Sequence, residues 1–479
     1  MQASELHPIS DSSKQNINRT FWRYAIPSVA AMLVNGFYQI VDGIFIGQYL
    51  GYEGLAGINM AWPIIYLFAG IGLMIGMGSG SLLSINRGQQ QASTNIDTGK
   101  NTHAQSLKTN HTLATATVLI IGFGLLGSLM LSMSGTGLLL AQGATGSTLI
   151  LAQEYLDPFS WSVIFTILAA AIPILIRNDE SPNLATSLMV MGACLNILLD
   201  YIFIVQMNMA LHGAAIATVA AQIAVATCGV IYFLSSFTKV KISKLTLKFA
   251  SMRFDFKLAR QILLLGSSSF VMYLYTSFVF ALHNRLFMEY GSPVTVGAFA
   301  IVGYLMVLYY FVAEGLGEGM QPPVSYFFGA KQTENIEKVL VLATKVTITA
   351  GIVWLLILNL FPSSIIGLFN AEDTKLIQEA TSGIRLHLFA MFLDGYLVLA
   401  IMFFMAVNQG KKALAISVAN MFVQLPLLYF LPPWLGVKGV WLAMPISNVL
   451  MFIIVAPMVW HHLKADKERE VDRLLEPRN

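Results

Sequence analysis

Asp42, Asp200, Glu314 and Asp394 each stand inside a long apolar run of Leu, Ile, Val, Phe, Ala and Gly. A charge in such surroundings is expensive, and where one occurs it faces a cavity or a partner group. Two of the four are matched in position by other polar side chains. Asp42 lies about seven residues from the far end of its run, roughly 10 Å by helix rise, and Asp200 about five residues from the end of its own, roughly 8 Å. Thr218 lies about six residues into the following run, roughly 9 Å, and Asn196 falls one helical turn from Asp200 on the same face. Carboxylate, amide and hydroxyl oxygens are what a hard cation needs in place of its water, which makes Asn196, Asp200 and Thr218 candidate ligands for Na+. An aspartate at that depth can instead take up and release a proton. The competing reading is a pair of aspartates near an interface, solvated by water and holding helix ends.

Around Asp42 the residues Asn35 and Gln39 complete a polar stripe at steps of four and three, with Tyr38 alongside. The stripe suits either the lining of a substrate cavity or bonding to a neighbouring helix. Pro27, earlier in the same run, removes one backbone hydrogen bond and can bend the helix. Protonation at Asp42 would then bias straight against bent forms, with Pro27 as the hinge.

The elements that must position these groups are membrane spans. Hydrophobic residues make up 56% of the 479-residue chain and charged residues 11%, against about 45–50% and 25% in soluble domains. Runs of about 20 apolar residues, the length that crosses a bilayer, fall at 21–49, 58–86, 112–136, 148–176, 183–205, 212–235, 258–288, 295–325, 337–361, 382–408, 412–432 and 436–462. Barrel strands would show short alternating segments instead of continuous runs such as 116–132, so the expected fold is all-α, with twelve transmembrane helices. Residues 1–20 are polar and give no cleavable signal peptide, which leaves the first span as its own insertion signal. Lys and Arg concentrate in 87–111, 177–183, 236–258, 409–412 and both ends, and are nearly missing from the alternate loops at 50–57, 137–147, 206–211, 289–294 and 362–381. The positive-inside bias therefore puts both termini in the cytoplasm of a multi-pass inner-membrane protein. Cys194 and Cys228 read as two small buried thiols.

Two blocks recur. Gly76-x-Gly78-x5-Ser84-x3-Gly88 returns as Gly317-x-Gly319-x5-Ser325-x3-Gly329, and His212-Gly213-Ala214-Ala215-Ile216-Ala217 as Lys438-Gly439-Val440-Trp441-Leu442-Ala443. Span 2 matches span 8 and span 6 matches span 12, the mark of parallel repeats. The expected division is a cytoplasmic tail at 1–20, an N-lobe of six helices at 21–235, a basic linker at 236–257, a pseudo-symmetric C-lobe of six helices at 258–462, and a charged cytoplasmic tail at 463–479. Two such halves carry substrate between them by alternating access.

At this point the sequence resembles the multidrug and toxic compound extrusion (MATE) family, nearest in pattern to its MepA-like and DinF-like bacterial branches, over residues 20–460. The resemblance rests on Ile26-Pro27 through Tyr38-Gln39-Ile40-Val41-Asp42-Gly43, on Arg177-Asn178-Asp179-Glu180-Ser181-Pro182 followed by Leu195-Asn196-Ile197-Leu198-Leu199-Asp200 and His212 to Thr218, and on Gly319-Met320-Gln321-Pro322-Pro323 and Asn408-Gln409-Gly410-Lys411. It implies an antiporter exporting amphipathic, often cationic drugs against inward H+ or Na+. It further implies Asp42 as the protonating carboxylate and Asn196, Asp200 and Thr218 as a cation-linked network. Branches that couple through spans 7 and 10 have an acid in span 7, where this chain has His283, Asn284 and Arg285, so coupling through Asp394 is not expected and a substrate role for it stays open.

Glu314 and Glu318, one turn apart, either attract cationic substrate or pair with a neighbouring base. His387 reads as a hydrogen-bonded packing residue and Arg285 as a snorkelling one. No nucleotide loop of the GxxxxGK[ST] type, no metal-ligand spacing and no enzyme signature occur, so no cofactor is expected beyond the coupling ion. The expected partners are small-molecule drugs or toxic metabolites and the bilayer, without nucleic acid, acting on a monomer. A flippase for lipid-linked oligosaccharides is the alternative, and it would call for a strongly basic cavity.

Overall fold

The computed structural model describes residues 17–94, 100–142, 144–235, 253–367 and 373–475, so most of the 236–257 linker and residues 1–16 of the N-terminal tail lie outside the described residues. Helices account for nearly all of it. Ten of them are long and apolar enough to cross a membrane, and a bent pair, Thr374–His387 with Met391–Ala406, makes one further crossing. Helix α6 (Phe256–Tyr290), at the position expected for span 7, completes the twelve-helix architecture. Large side chains such as Met133 and Trp434 are 78% and 87% exposed, faces that only lipid can cover.

Helix α1 runs unbroken from Ile17 to Thr94. Straight, its 78 residues would reach about 117 Å, nearly four bilayer cores. The two crossings within it, Ile17–Gly43 and Gly57–Ala92, are thus joined through helical turns where a loop at 50–57 was expected. The segment contains no proline to interrupt the hydrogen-bond ladder. One other expectation changes. The span at 382–408 is two helices, α10 (Thr374–His387) and α11 (Met391–Ala406), meeting at 49°; His387 Nδ1 donates to the Trp441 carbonyl at 2.9 Å, anchoring the end of α10 to another helix instead of letting the ladder continue. The charged stretch 463–475 continues α13 (Val437–Leu475) as helix, its Lys467 paired with Glu337. Cys194 is exposed and Cys228 half-buried, both unbridged, because Cys194 sits on the side of its helix away from buried Asn196.

Among the described residues, backbone packing separates two compact units: those of 30–274, and those of 17–29 with 275–475. The boundaries fall inside α1 and α6. In the first unit α3 (Gly146–Asn178) lies against α2 (Lys100–Ala141), α4 (Pro182–Asp200) and α5 (Ala210–Leu234), around a core that includes Phe68, Phe159, Val163 and Ile167. One of its ends is held by polar groups. Arg87 pairs with fully buried Asp179, Tyr232 donates to Asp179 Oδ2 at 2.6 Å, Arg87 Nη1 reaches the Asn178 carbonyl at 3.0 Å, and Ser84 of the repeated block donates to Asn178 Oδ1 at 2.7 Å. Glu180 turns the chain from α3 to α4 with φ 57°, and Asn408 does the same from α11 to α12 (Gly410–Leu435) with φ 58°, a further trace of the repeat. In the second unit α7 (Pro293–Gly329) and α11 pack together with α8 (Thr333–Leu360), over an aromatic core of Phe287, Phe299 and Trp441.

The hydrogen bond from Tyr232 to a buried, charged acceptor is of the kind worth about 1.5–3 kcal/mol. Tyr232→Phe is expected to lower the melting temperature of the detergent-solubilised protein by several degrees, and Asp179→Ala by more, because it also removes the buried carboxylate that Arg87 pairs with. A Tyr232→Phe melt equal to the parent's would show that this bond contributes nothing.

Candidate functional site

Four helices of the first unit bring polar groups to one place. Asp42 of α1 is 3% exposed, Asn196 of α4 is 2% and Asp200, the last residue of α4, is 0%. Asn196 Nδ2 donates to Thr218 Oγ1 of α5 at 3.3 Å. Asp200 lies within the field of Asp42. Tyr155 of α3, almost fully buried, shares a hydrogen bond with Thr218 and lies within the field of Asp42, Asp200 and Tyr38. Beyond Asp42, half-buried Tyr38 is bonded to Gln39, and Gln39 Oε1 accepts from Tyr66 at 3.4 Å, whose ring stacks edge-on against Trp62 at 5.0 Å and Tyr273 at 6.1 Å.

What distinguishes this cluster is what its oxygens lack. Asp42 Oδ1, Asn196 Oδ1 and both carboxylate oxygens of Asp200 are buried without a hydrogen-bond partner among the described residues. Buried polar atoms are nearly always satisfied, so unsatisfied ones call for an explanation such as a functional role or an unseen ion. Such unpartnered acceptors can be satisfied by a proton or by an oxygen-seeking cation. Among the described residues no group of three or more His, Cys, Asp and Glu is placed to hold a metal ion.

The α4 helix does not simply end at Asp200. It continues as a π-helix over Tyr201–Gln206, a form that is rare and recurs at functional sites. Neither this segment nor Tyr155 was singled out in the sequence. Tyr155 lies about nine residues into α3, roughly 13 Å by helix rise, a depth near that of Asp42, and that was the available signal.

The other candidate residues lie elsewhere. Asn35 is half-buried on α1, two turns before Asp42, and Pro27 falls in the 17–29 stretch that packs with the second unit. Glu314, with Glu318 one turn on, is buried on α7. Asp394 is half-buried in the first turn of α11, where Tyr275, Tyr309 and Tyr310 lie within its field and Tyr310 also within that of Glu314. Tyr275 donates to Gln424. Counting from the starts of α4 and α12, Gln424 occupies the position of Asn196 in the second repeat.

The MatE family model matches residues 27–202 and 268–430. The chain belongs to the MatE family. Curated relatives include the multidrug export protein MepA of Staphylococcus aureus strain N315 and that of Staphylococcus saprophyticus, each 23% identical over 449 residues, with 93% of this chain covered in the first case along with 94% of the relative. Among solved structures, an outward-facing MATE family multidrug resistance transporter of the MOP superfamily superposes with a TM-score of 0.85 at 19% identity, covering 95% of this chain and 97% of that one. A MOP superfamily transporter from Pyrococcus furiosus, described as having a binding pocket of reversed polarity, superposes with a TM-score of 0.84 at 20% identity, with the same coverage. The MATE fold expected from the sequence is therefore the fold of this chain.

An ionised carboxylate buried without a partner destabilises the fold that holds it. Asp200→Asn is expected to raise the melting temperature by a few degrees at pH 8, because the amide brings no charge into these buried surroundings. A variant that melts lower than the parent at pH 8 would show that Asp200 is already satisfied.

Proposed function

We infer that the protein is a multidrug efflux antiporter of the cytoplasmic membrane, exporting amphipathic, often cationic compounds in exchange for inward H+ or Na+. The observation that carries this reading is the set of unpartnered oxygens of Asp42, Asn196 and Asp200 inside one unit of a MatE chain. In the proposed cycle an ion entering from outside satisfies these oxygens, with Thr218 and Tyr155 orienting them, and removes the penalty of buried negative charge. Asp42 passes the change to α1, which bends about Pro27, and alternating access of the two halves follows. Asn35, Tyr38 and Gln39 on the same helix are candidates for contact with substrate in the first unit, and Asp394 and Glu314 are candidates in the second. Both termini face the cytoplasm, and no cofactor beyond the ion takes part. The relatives' name, multidrug export protein, supports the substrate class.

The alternative, a flippase for lipid-linked oligosaccharides, needs cations to meet a pyrophosphate. The buried cluster of the first unit is acidic instead, which disfavours it.

Dye efflux from inverted vesicles tests the reading, with a proton gradient or a sodium gradient imposed separately. One gradient is expected to drive efflux in the parent, and Asp42→Asn to reduce it to the vesicle background with unchanged protein in the membrane. Parent-like rates in that variant would remove Asp42 from the mechanism. Failure of every cationic dye, with movement of a labelled lipid precursor, would favour the flippase.

A further inference from the structure

In the second unit the charged ends of α8 and α13 meet. The two helices pack together and, as the ninth and twelfth crossings, run in opposite directions. Lys467 of α13 is paired with Glu337 of α8. Lys338 pairs with Glu334 at 2.6 Å, and Lys464 with Glu468 at 3.9 Å. Each of these carboxylates is matched to a lysine, and one lysine is left over. Lys345 of α8 is exposed, with no ion pair or hydrogen bond among the described residues.

Lys345 stands eight residues beyond Glu337, about 12 Å further into the span. On α13, Trp460 stands seven residues before Lys467, roughly 10 Å into its own span, and is 65% exposed. The Glu337–Lys467 pair fixes the register of the helices, so Lys345 and Trp460 share one level to within about 2 Å. They also share one groove. Seven residues are close to two full turns, so Trp460 lies on the side of α13 that carries Lys467 and faces α8. Eight residues are two turns and a little more, so Lys345 lies beside Glu337, toward the exposed side of α8. One turn deeper Thr349 is exposed, and deeper still Ile352 of α8 and Ile453 of α13 are 40% and 61% exposed.

From its charged end inward the groove therefore offers an unmatched ammonium and an indole N–H, then a hydroxyl, then apolar surface. A phospholipid has the same order: phosphate, ester, acyl chain. Tryptophan settles where headgroups meet chains, and a lysine at that level extends its ammonium outward to the phosphates. A zwitterionic headgroup brings an ammonium of its own, whereas a headgroup of net negative charge supplies the counter-ion that Lys345 lacks. We propose that the groove between α8 and α13 seats an acidic phospholipid, with Lys345 binding its phosphodiester, Trp460 packing against its glycerol ester region and Ile352 and Ile453 covering its chains. The seat stands whether or not the protein exports drugs; in the proposed orientation it belongs to the cytoplasmic leaflet. At this end α13 is tied to α8 by the Lys467–Glu337 pair, an exposed contact of the kind that contributes little. A lipid bridging the two helices adds to that hold.

Native mass spectrometry of delipidated protein in detergent tests this, with phosphatidylglycerol, phosphatidylcholine or glycerol 3-phosphate added. The parent is expected to retain phosphatidylglycerol about fivefold over phosphatidylcholine, the preference that one lysine near an anionic surface gives, and to retain no glycerol 3-phosphate. Lys345→Gln is expected to bring that ratio close to unity, and Lys345→Arg to keep it. A ratio that Lys345→Gln leaves at the parent's value would overturn the seat. So would retention of glycerol 3-phosphate equal to that of the lipid, which would make the site one for free phosphate esters. A second measurement does not depend on those variants. A fluorophore on Leu356→Cys, one turn beyond Ile352, is placed in a chain with Cys194→Ser and Cys228→Ser. In mixed micelles it is expected to be quenched more by phosphatidylglycerol with brominated chains than by phosphatidylcholine brominated alike, and equal quenching would overturn the proposal.

Discussion

Burying acceptor oxygens without donors is the constraint from which the rest of this structure follows. Asp42, Asn196 and Asp200 are placed in apolar surroundings with lone pairs that nothing in the described residues meets, and an unpaired buried charge costs several kcal/mol. A fold tolerates that only where the surrounding packing over-determines it, and the first unit is built accordingly. Its central helix α3 contacts α2, α4 and α5. Its inner end is tied by the Arg87–Asp179 pair and the Tyr232 bond, and its core is dense with aliphatic and aromatic side chains. The packing of the frame keeps the oxygens from reaching other partners among the described residues.

The second unit is assembled differently. Some of its buried polar groups are satisfied, His387 by the Trp441 carbonyl, Tyr309 by the Thr347 carbonyl at 3.2 Å and Gln321 by Ser325 at 3.0 Å, and others such as Thr347 Oγ1, Asn420 Oδ1 and Gln424 Nε2 have no partner among the described residues, but none of these is a carboxylate. Where the first repeat has Asn196 with Asp200 one turn on, the second has Gln424 with Leu428. The two halves share one scaffold, while the unpartnered carboxylate oxygens lie in one of them and a tyrosine-rich environment surrounds Asp394 in the other. Helices α1 and α6 are each shared between the two units.

The span pattern was legible because the bilayer imposes a length and helix rise is fixed, so depth could be counted for Asp42, Asp200 and Thr218 without coordinates. Their convergence with Tyr155 was not, because an isolated tyrosine among core aromatics carries no spacing signal. The π-helix after Asp200 depends on hydrogen-bond registry that side-chain pattern does not encode. The helical turns at 50–57 were hidden by Gly51, Gly54 and Gly57, whose usual meaning is a loop, and the break after His387 has neither proline nor glycine to announce it. Sharing of α1 and α6 between units is purely tertiary.

The central claim is that an ion occupies these oxygens and that substrate binding is linked to its departure. Proton release on adding tetraphenylphosphonium to weakly buffered, detergent-solubilised protein, followed with a pH-indicator dye and repeated with sodium present, measures it directly. The account predicts release of a proton by the parent, or its suppression by sodium where sodium is the coupling ion, and no release from Asp42→Asn with Asp200→Asn. Equal release from the parent and the doubly substituted protein would contradict it.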